Sequence, residues 1–471
     1  MEDKKRNIGC AIQMSYIVKN YRRFFKRKYY KSYITQKKIR QLPLEDIKKI
    51  QWKRLKDLLN FVYENNDFYN EYFESVNLTP DSIRKPSDML RLPITEKQDY
   101  IKNFNKIITR NVSKKDYAIA TTSGSTGQPF KHYVDINKEE IITHAAFMLN
   151  MECMGIKPFE KNNELIIIFR PRKEITDFQN IELKKLKDKI IYSFLPESFS
   201  IRGYMITKEN TPYLIDLIKN NNIKGIYGIS SSILNLAQFI DNKNILKLKY
   251  VITMGEELLE YQRQYISNIF NCPVFADYGS SECMRMGSEC KYQNGFHMDI
   301  YNYYFEYLKD KKNYGATDHY DLVVTNLNNY VFPFIRYRTS DAVMISDEPC
   351  SCGNHLPMVK KIFGKSIVGI ITPDGHRFSS VDFAAFFEHY HKHTQAVRQF
   401  QIIQKDEKSL IIKIVPTKIY SEKIEKDIEF KMTNLVGESM KIFVVCVESL
   451  KLSKSGKIKV LVLKNEAADY L

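Results

Sequence analysis

The sequence predicts an α/β protein: a large N-terminal domain with mostly parallel sheets and a distorted antiparallel part, then a small mobile α+β C-terminal domain. Three observations predict it. Between Tyr117 and Ala276 short apolar runs alternate with helix-length stretches, the pattern of β–α units. Between residues 303 and 345 strand-like runs follow one another with only turn residues between them, as antiparallel strands do. After Gly364 a fresh set of strands and helices begins and fills about 105 residues, an ordinary domain size.

Residues 1–44 read as a basic helical extension. Residues 1–40 hold 13 Lys or Arg against 2 acids, an excess of 11 within a chain whose net charge is +17. Tyr16, Tyr21, Phe24, Phe25, Tyr29, Tyr30 and Tyr33 are interleaved with Arg22, Arg23, Lys26, Arg27 and Lys28, and residues 11–34 contain no Gly or Pro, so a helix is expected. Basic aromatic helices dock on anionic membrane surfaces. The same composition suits a helix that packs its rings on the protein body and leaves its bases in water, and both readings stand.

Residues 45–364 form the large domain. Residues 45–75 read as helical, with Trp52, Leu55, Leu58, Leu59 and Val62 near a 3.6 spacing, and Pro80, Pro86 and Pro93 punctuate the stretch beyond. A strand is expected over 117–122, then a Gly/Ser/Thr loop, then a helix over 138–154. Residues 165–169, 225–229, 250–253 and 274–276 read as short buried strands, and 304–308, 322–326 and 342–345 as antiparallel ones. Residues 365–471 form the C-terminal domain, with strands near 367–371, 400–404, 410–415 and 441–447 and helices near 381–389 and after Ser421.

With 44% hydrophobic and 27% charged residues the composition is globular. No apolar run approaches the roughly 20 residues that span a bilayer, and the charged N-terminus lacks the features of a secretory signal. Eight cysteines in 471 residues are not a disulfide framework. A cytoplasmic protein is expected, peripheral to the inner face of the membrane if residues 11–34 dock there. Nucleic acid is not an expected partner, because bases interleave with aromatics only in the N-terminal segment.

Four motifs carry chemistry. In Thr121–Pro129, TTSGSTGQP, two glycines permit tight turns, and hydroxyls with exposed amides suit phosphate oxygens; the Gly-Lys-Ser/Thr of a Walker loop is missing. Tyr278-Gly279-Ser280-Ser281-Glu282 puts a carboxylate beyond a strand end, where it suits a magnesium ion or, equally, a helix N-cap. Phe334–Asp341, FPFIRYRTSD with its preceding residues, offers an aspartate for ribose hydroxyls and arginines for phosphate, or a surface ion-pair network. Lys451–Lys459, KLSKSGKIK, puts lysines on a Gly-permitted turn, which by default is a solvated basic loop.

In order and spacing these motifs, with the Met254-Gly255-Glu256-Glu257 turn and the LVVTNL run, resemble the adenylate-forming superfamily of acyl-CoA synthetases. Within it they resemble the phenylacetate–CoA ligase branch and its CapK-like capsular relatives. The likeness runs from about Ile50 to the C-terminus. The resemblance implies ATP- and Mg2+-dependent activation of a small carboxylic acid to an acyl-adenylate, with transfer to coenzyme A. The alternative is transfer to a sugar or carrier in envelope polysaccharide synthesis. It implies that Thr122, Ser123, Gly124, Ser125, Thr126 and Gly127 contact the ATP phosphates. Gly255, Glu256, Gly279, Ser280 and Ser281 would belong to the same nucleotide site. Tyr278 would lie against adenine, Asp341 would hold the ribose hydroxyls with Arg338 and Arg336 nearby, Glu282 would bind Mg2+, and Lys457 would reach the carboxylate and α-phosphate. The chain departs from the family pattern at Ser340 in Thr-Gly-Asp, at Lys365 in Gly-Arg, and at Ile367 or Val368 where an acidic hinge residue is usual. Thr372–Arg377 looks more CapK-like.

A second constellation is Cys290-x6-His297 with Cys350-x-Cys352. Three thiols and an imidazole make a tetrahedral set for one structural Zn2+, with Cys283 as a competing partner. Four protein ligands leave no open position, so a catalytic role for the ion is not expected. His132, His144 and the histidines at 389–393 read as surface or internally satisfied groups.

Overall fold

The computed structural model describes residues 28–121, 130–158, 165–169, 198–203, 206–240, 245–309, 319–346, 348–365, 369–451 and 458–471. Residues 28–40 form a helix, α1. The expected helix over 45–75 is two, α2 (Leu44–Asn65) and α3 (Asp67–Glu74). They part at Asn66, which is extended and caps α3 by accepting the Tyr69 amide at 3.1 Å. Short helices α4 (Lys97–Lys102) and α5 (Phe104–Ile107) follow.

Strands β1 (Tyr117–Thr121) and β2 (Lys131–Asp135) pair antiparallel as a separate hairpin, so the hydroxyl-rich residues connect two strands rather than a strand and a helix. Then come α6 (Glu139–Cys153), β3 (Leu165–Phe169), β4 (Ser198–Arg202), α7 (Thr211–Asn220), β5 (Gly225–Ile229), α8 (Ser230–Phe239), β6 (Tyr250–Met254), α9 (Glu260–Phe270) and β7 (Val274–Ser280). Strands β8 (Met284–Ser288), β9 (Phe296–Met298), β10 (Tyr303–Lys309), β11 (Tyr320–Asn326), β12 (Tyr337–Ser346) and β13 (Met358–Lys365) complete the large part.

All of β3 to β13 lie in one eleven-stranded sheet of order β10-β11-β12-β13-β9-β8-β7-β6-β5-β3-β4. From β4 to β7 the strands are parallel; from β7 to β10 they are antiparallel. The two expected parts are thus one continuous sheet that changes sense at the β7–β8 pair. The inner parallel strands β3, β5 and β6 are largely apolar, as strands covered by helices are, and every residue of β5 is buried. Helices α7, α8 and α9 pack there through Leu214, Ile233 and Ile266. A second core, with Leu58, Leu59, Tyr69 and Phe73, joins α2 and α3 to Leu327 and Ile335.

The C-terminal part opens with the hairpin β14 (Gly369–Ile371) and β15 (Arg377–Ser379) and helix α10 (Ser380–Thr394). Strands β16 (Val397–Asp406), β17 (Ser409–Pro416), β18 (Lys441–Cys446) and β19 (Leu461–Val462) form a sheet of order β18-β17-β16-β19, with α11 (Glu422–Val436) between β17 and β18. It has its own core around Phe383, Phe387, Ile412 and Met432, to which Leu259 and Tyr261 of the large part contribute.

The first helix packs two of its three described rings inward and leaves Tyr30 exposed. Tyr29 and Tyr33 are buried, Tyr29 edge-on to His144, and Tyr33 beside Ala145, Met148 and Leu149 of α6. The Tyr33 hydroxyl donates to Glu152 at 2.6 Å, and Arg40 makes a buried ion pair with Asp299 at 2.9 Å. Residues 11–27 of the expected basic helix lie outside the described residues. No helix among the described residues is long and apolar enough to cross a membrane.

Candidate active site and metal centre

The carboxyl ends of β6 and β7 border a cleft of about 960 Å³, the position where open α/β sheets bind ligands. After β6 the chain turns through Gly255, whose φ of +76° favours glycine, into Glu256 and Glu257. On the next strand Tyr278, Gly279 and Ser280 belong to β7 itself, not to a turn after it, since β7 continues past Ala276 to pair with β8. A Cβ on Gly279 would sit 1.9 Å from the carbonyl oxygen of Met284, so only glycine fits at this crossing. Ser281 and Glu282 then turn the chain into β8 at the cleft wall.

The antiparallel half supplies the facing wall. Tyr337, Arg338, Thr339, Ser340 and Asp341 are part of β12 and line the same cleft. Two hydrogen bonds tie the walls together. Tyr278 donates its hydroxyl to Asp341 Oδ2 at 2.8 Å, and Tyr337 donates to Glu282 Oε1 at 3.2 Å. Burial pushes both phenols well above their ordinary range, and the adjacent carboxylates push them further, so both remain donors. Arg338 lies between Asp321, at 2.9 Å, and Glu96, at 3.6 Å. Carboxylates outnumber cations among the cleft's described lining residues, so an anionic ligand there requires counter-charge.

Of the residues singled out in the sequence, Gly255, Glu256, Tyr278, Gly279, Ser280, Ser281, Glu282, Arg338 and Asp341 all line this cleft. Thr122, Ser123, Gly124, Ser125, Thr126, Gly127 and Lys457 lie outside the described residues. Arg336 does not join them. It is 3% exposed and its guanidinium is paired with both oxygens of Glu306, so it holds the residue just before β12 to β10 rather than meeting a phosphate. The sequence could not separate the two arginines, because their difference is which strand neighbour carries an acid.

His132 is buried and hydrogen-bonded internally, the second of the two readings its sequence allowed. Its Nε2 lies 2.8 Å from the Ser281 carbonyl oxygen and its ring stacks on Phe130. It therefore ties β2, just beyond the hydroxyl-rich segment, to the turn that carries Glu282. Its place two residues into the strand after that segment was the available signal.

The second constellation is assembled as well. The ligand atoms of Cys290, His297, Cys350 and Cys352 all lie within 4.8 Å of one another. Cys290 Sγ is 3.6 Å from Cys350 Sγ, and Cys352 Sγ is 3.3 Å from His297 Nε2. The pairing of His297 on β9 with Met358 on β13 brings the two halves together. His297 Nδ1 lies 3.4 Å from the Leu356 carbonyl oxygen, the second contact that orients a metal-binding imidazole and leaves Nε2 for the ion. Three sulfurs and one nitrogen at these separations suit a tetrahedral Zn2+. Cys283 is not among them: it is buried in the aromatic core with Tyr100 and Phe334.

Residues 370–465 match the CapK C-terminal domain family. The chain is 26% identical to Protein CapK of Staphylococcus aureus over 353 residues, covering 73% of each chain. It is 22% identical to the phenylacetate-coenzyme A ligase of Thermus thermophilus, covering 70% of this chain and 73% of that one. The fold is shared with 2-hydroxyisobutyryl-CoA ligase in its postadenylation state at a TM-score of 0.70 and 15% identity, over 90% of this chain and 91% of that one. Against the same ligase in its thioesterification state the TM-score is 0.55. In sequence the chain is thus similar to the CapK and phenylacetate–coenzyme A ligase branch of the adenylate-forming enzymes, and it shares their fold.

Proposed function

We propose that this protein is an adenylate-forming ligase that joins a small carboxylic acid to AMP at the expense of ATP and passes the acyl group to coenzyme A. The observation that carries the reading is the convergence of Gly255–Glu257, Tyr278–Glu282 and Tyr337–Asp341 on one cleft. Asp341, oriented by Tyr278, accepts the ribose hydroxyls, and the Tyr278 ring lies against adenine. Thr122–Gly127 cradle the phosphates. Glu282, oriented by Tyr337, offers a hard carboxylate oxygen to Mg2+, and when bound that ion neutralises charge on the departing pyrophosphate. Lys457 then serves as the cation that meets the acid and the α-phosphate, offsetting the repulsion between two anions as they react. The small domain at 365–471 carries Lys457 to the large one at 45–364. Cys290, His297, Cys350 and Cys352 hold a structural Zn2+ that pins the ends of β9 and β13.

The measurement that tests this is pyrophosphate release over a panel of carboxylic acids with Mg2+ and ATP, with and without coenzyme A. Release with no acid dependence would overturn it. A second reading, transfer to a sugar or carrier in envelope polysaccharide synthesis at the cytoplasmic side, is favoured by the CapK match at the C-terminal domain; adenylation without thioester formation would support it. For residues 11–34 the burial of Tyr29 and Tyr33 favours packing on the protein over docking on a membrane. Equal co-sedimentation with anionic and neutral vesicles is the expected outcome.

A further inference from the structure

Glu256 divides its carboxylate between two parts of the molecule. One oxygen accepts the amide N–H of Ser231, in the first turn of α8, at 2.8 Å. The other accepts the amide N–H of Ile458 at 3.1 Å. Ile458 belongs to the C-terminal sheet: the Lys459 carbonyl accepts from Gln401 and the Val460 carbonyl from the Ile402 amide of β16. A single carboxylate on the cleft wall thus bridges a helix N-terminus of the large domain and the backbone residue that follows Lys457.

The chemistry of the bridge is favourable. Two amide donors satisfy an anion better than one, and a helix N-terminus favours negative charge. The bridge also specifies position. Ile458 is held against Glu256, a cleft-wall residue, by a hydrogen bond that crosses from one domain to the other. Other contacts across the same boundary do not depend on it: Lys361 pairs with both Glu257 and Glu388, and Tyr261 stacks on His391 with centroids 4.4 Å apart.

We propose that Glu256 is a positioning residue, not an ATP ligand: it holds the Ile458 backbone, and with it the edge of the C-terminal sheet, against the large domain for the adenylation half-reaction and lets go for acyl transfer. This rests on the function proposed above. Glu256→Gln is nearly isosteric but turns an NH2 toward one of the two amide donors, so one bond of the bridge is lost. Glu256→Asp keeps the charge and is too short to reach both.

The test uses the full-length chain in two measurements. The first is hydrogen exchange followed by mass spectrometry, without substrate, on peptides covering Ile458 and Ser231. Loss of one hydrogen bond should speed exchange at one or both sites by about tenfold in either variant. The second separates the half-reactions: pyrophosphate release with MgATP and phenylacetate or 2-hydroxyisobutyrate, against transfer to coenzyme A from the supplied acyl-adenylate. Adenylation turnover should fall about tenfold or more with little change in the KM for ATP, and transfer should stay within about twofold. Unchanged exchange at both sites, or equal losses in both half-reactions, would overturn the proposal. No pyrophosphate from the unaltered protein with any acid would defeat the proposed function instead, and the exchange result would still decide whether the bridge forms.

Discussion

Tyr278 and Asp341 meet at 2.8 Å across the change of sense in the large sheet, one from the last parallel strand and one from the antiparallel half. The bond orients a carboxylate at the cleft without neutralising it. Tyr278→Phe removes one donor, and an approximately tenfold rise in the KM for ATP is expected with turnover less affected. Steady-state kinetics with ATP as the varied substrate checks this. Asp341→Ala should cost more than Tyr278→Phe, because it removes the acceptor itself.

Glu282→Gln should raise the Mg2+ concentration needed for half-maximal pyrophosphate release and lower the maximal rate about a hundredfold. Lys457→Ala should lower adenylation by a similar factor. Both variants should melt within a few degrees of the unaltered protein. A rate loss matched by a loss of folding would assign these residues to structure instead.

Purified protein should contain about one zinc per chain by elemental analysis. Cys350→Ser should lose the metal and melt at lower temperature, and a chelator should lower the melting temperature of the unaltered protein toward that of the variant. Because the thiols must be deprotonated to bind, metal retention should fall as the pH is lowered. Absence of metal from protein purified without chelators would end this assignment.

Glu139 provides a pH prediction. It is buried at the start of α6, where Oε1 accepts from Asn326 at 2.6 Å, and burial pushes its carboxyl from 4.5 up to about 8. The folded state therefore binds a proton that the unfolded state has released between those two values. Stability is full below the lower one and falls as the pH rises toward the upper one, by at most about 1.4 kcal/mol per pH unit from this group. Glu139→Gln keeps an oxygen for Asn326 and should flatten that part of the profile. Urea denaturation at several pH values measures it.

Residues 28–40 should be needed for stability. A chain starting at Gln41 loses Arg40 and leaves Asp299 buried without its ion-pair partner, at a cost of about 3–5 kcal/mol. Equilibrium denaturation of the two chains reads the difference.

The parallel half of the fold was legible because strands buried on both faces must be apolar throughout, and β3, β5 and β6 read so in isolation. What pairing decides was not legible. Nothing local in Gly279-Ser280 or in Arg338-Thr339-Ser340 favours a strand; each becomes one because a neighbour, β8 or β11, supplies the ladder. The extra strand β2 was hidden for the same reason. At the site, residue types and their order were readable, and nine of the residues singled out line one cleft. Which side chains are already occupied was not readable: the pairing of Arg336 with Glu306 and the bridge made by Glu256 depend on neighbours 30 and 202 residues away in the chain.

The continuity of the eleven-stranded sheet has a mechanical consequence. Its two halves are cross-braced by the backbone ladder between β7 and β8, so shearing one against the other would break several hydrogen bonds at once. The wall bearing Asp341 and the wall bearing Glu282 therefore behave as one stiff jaw. A second jaw, the C-terminal sheet, is attached to it by side chains such as Glu256, Lys361 and Tyr261, contacts that can be exchanged one at a time.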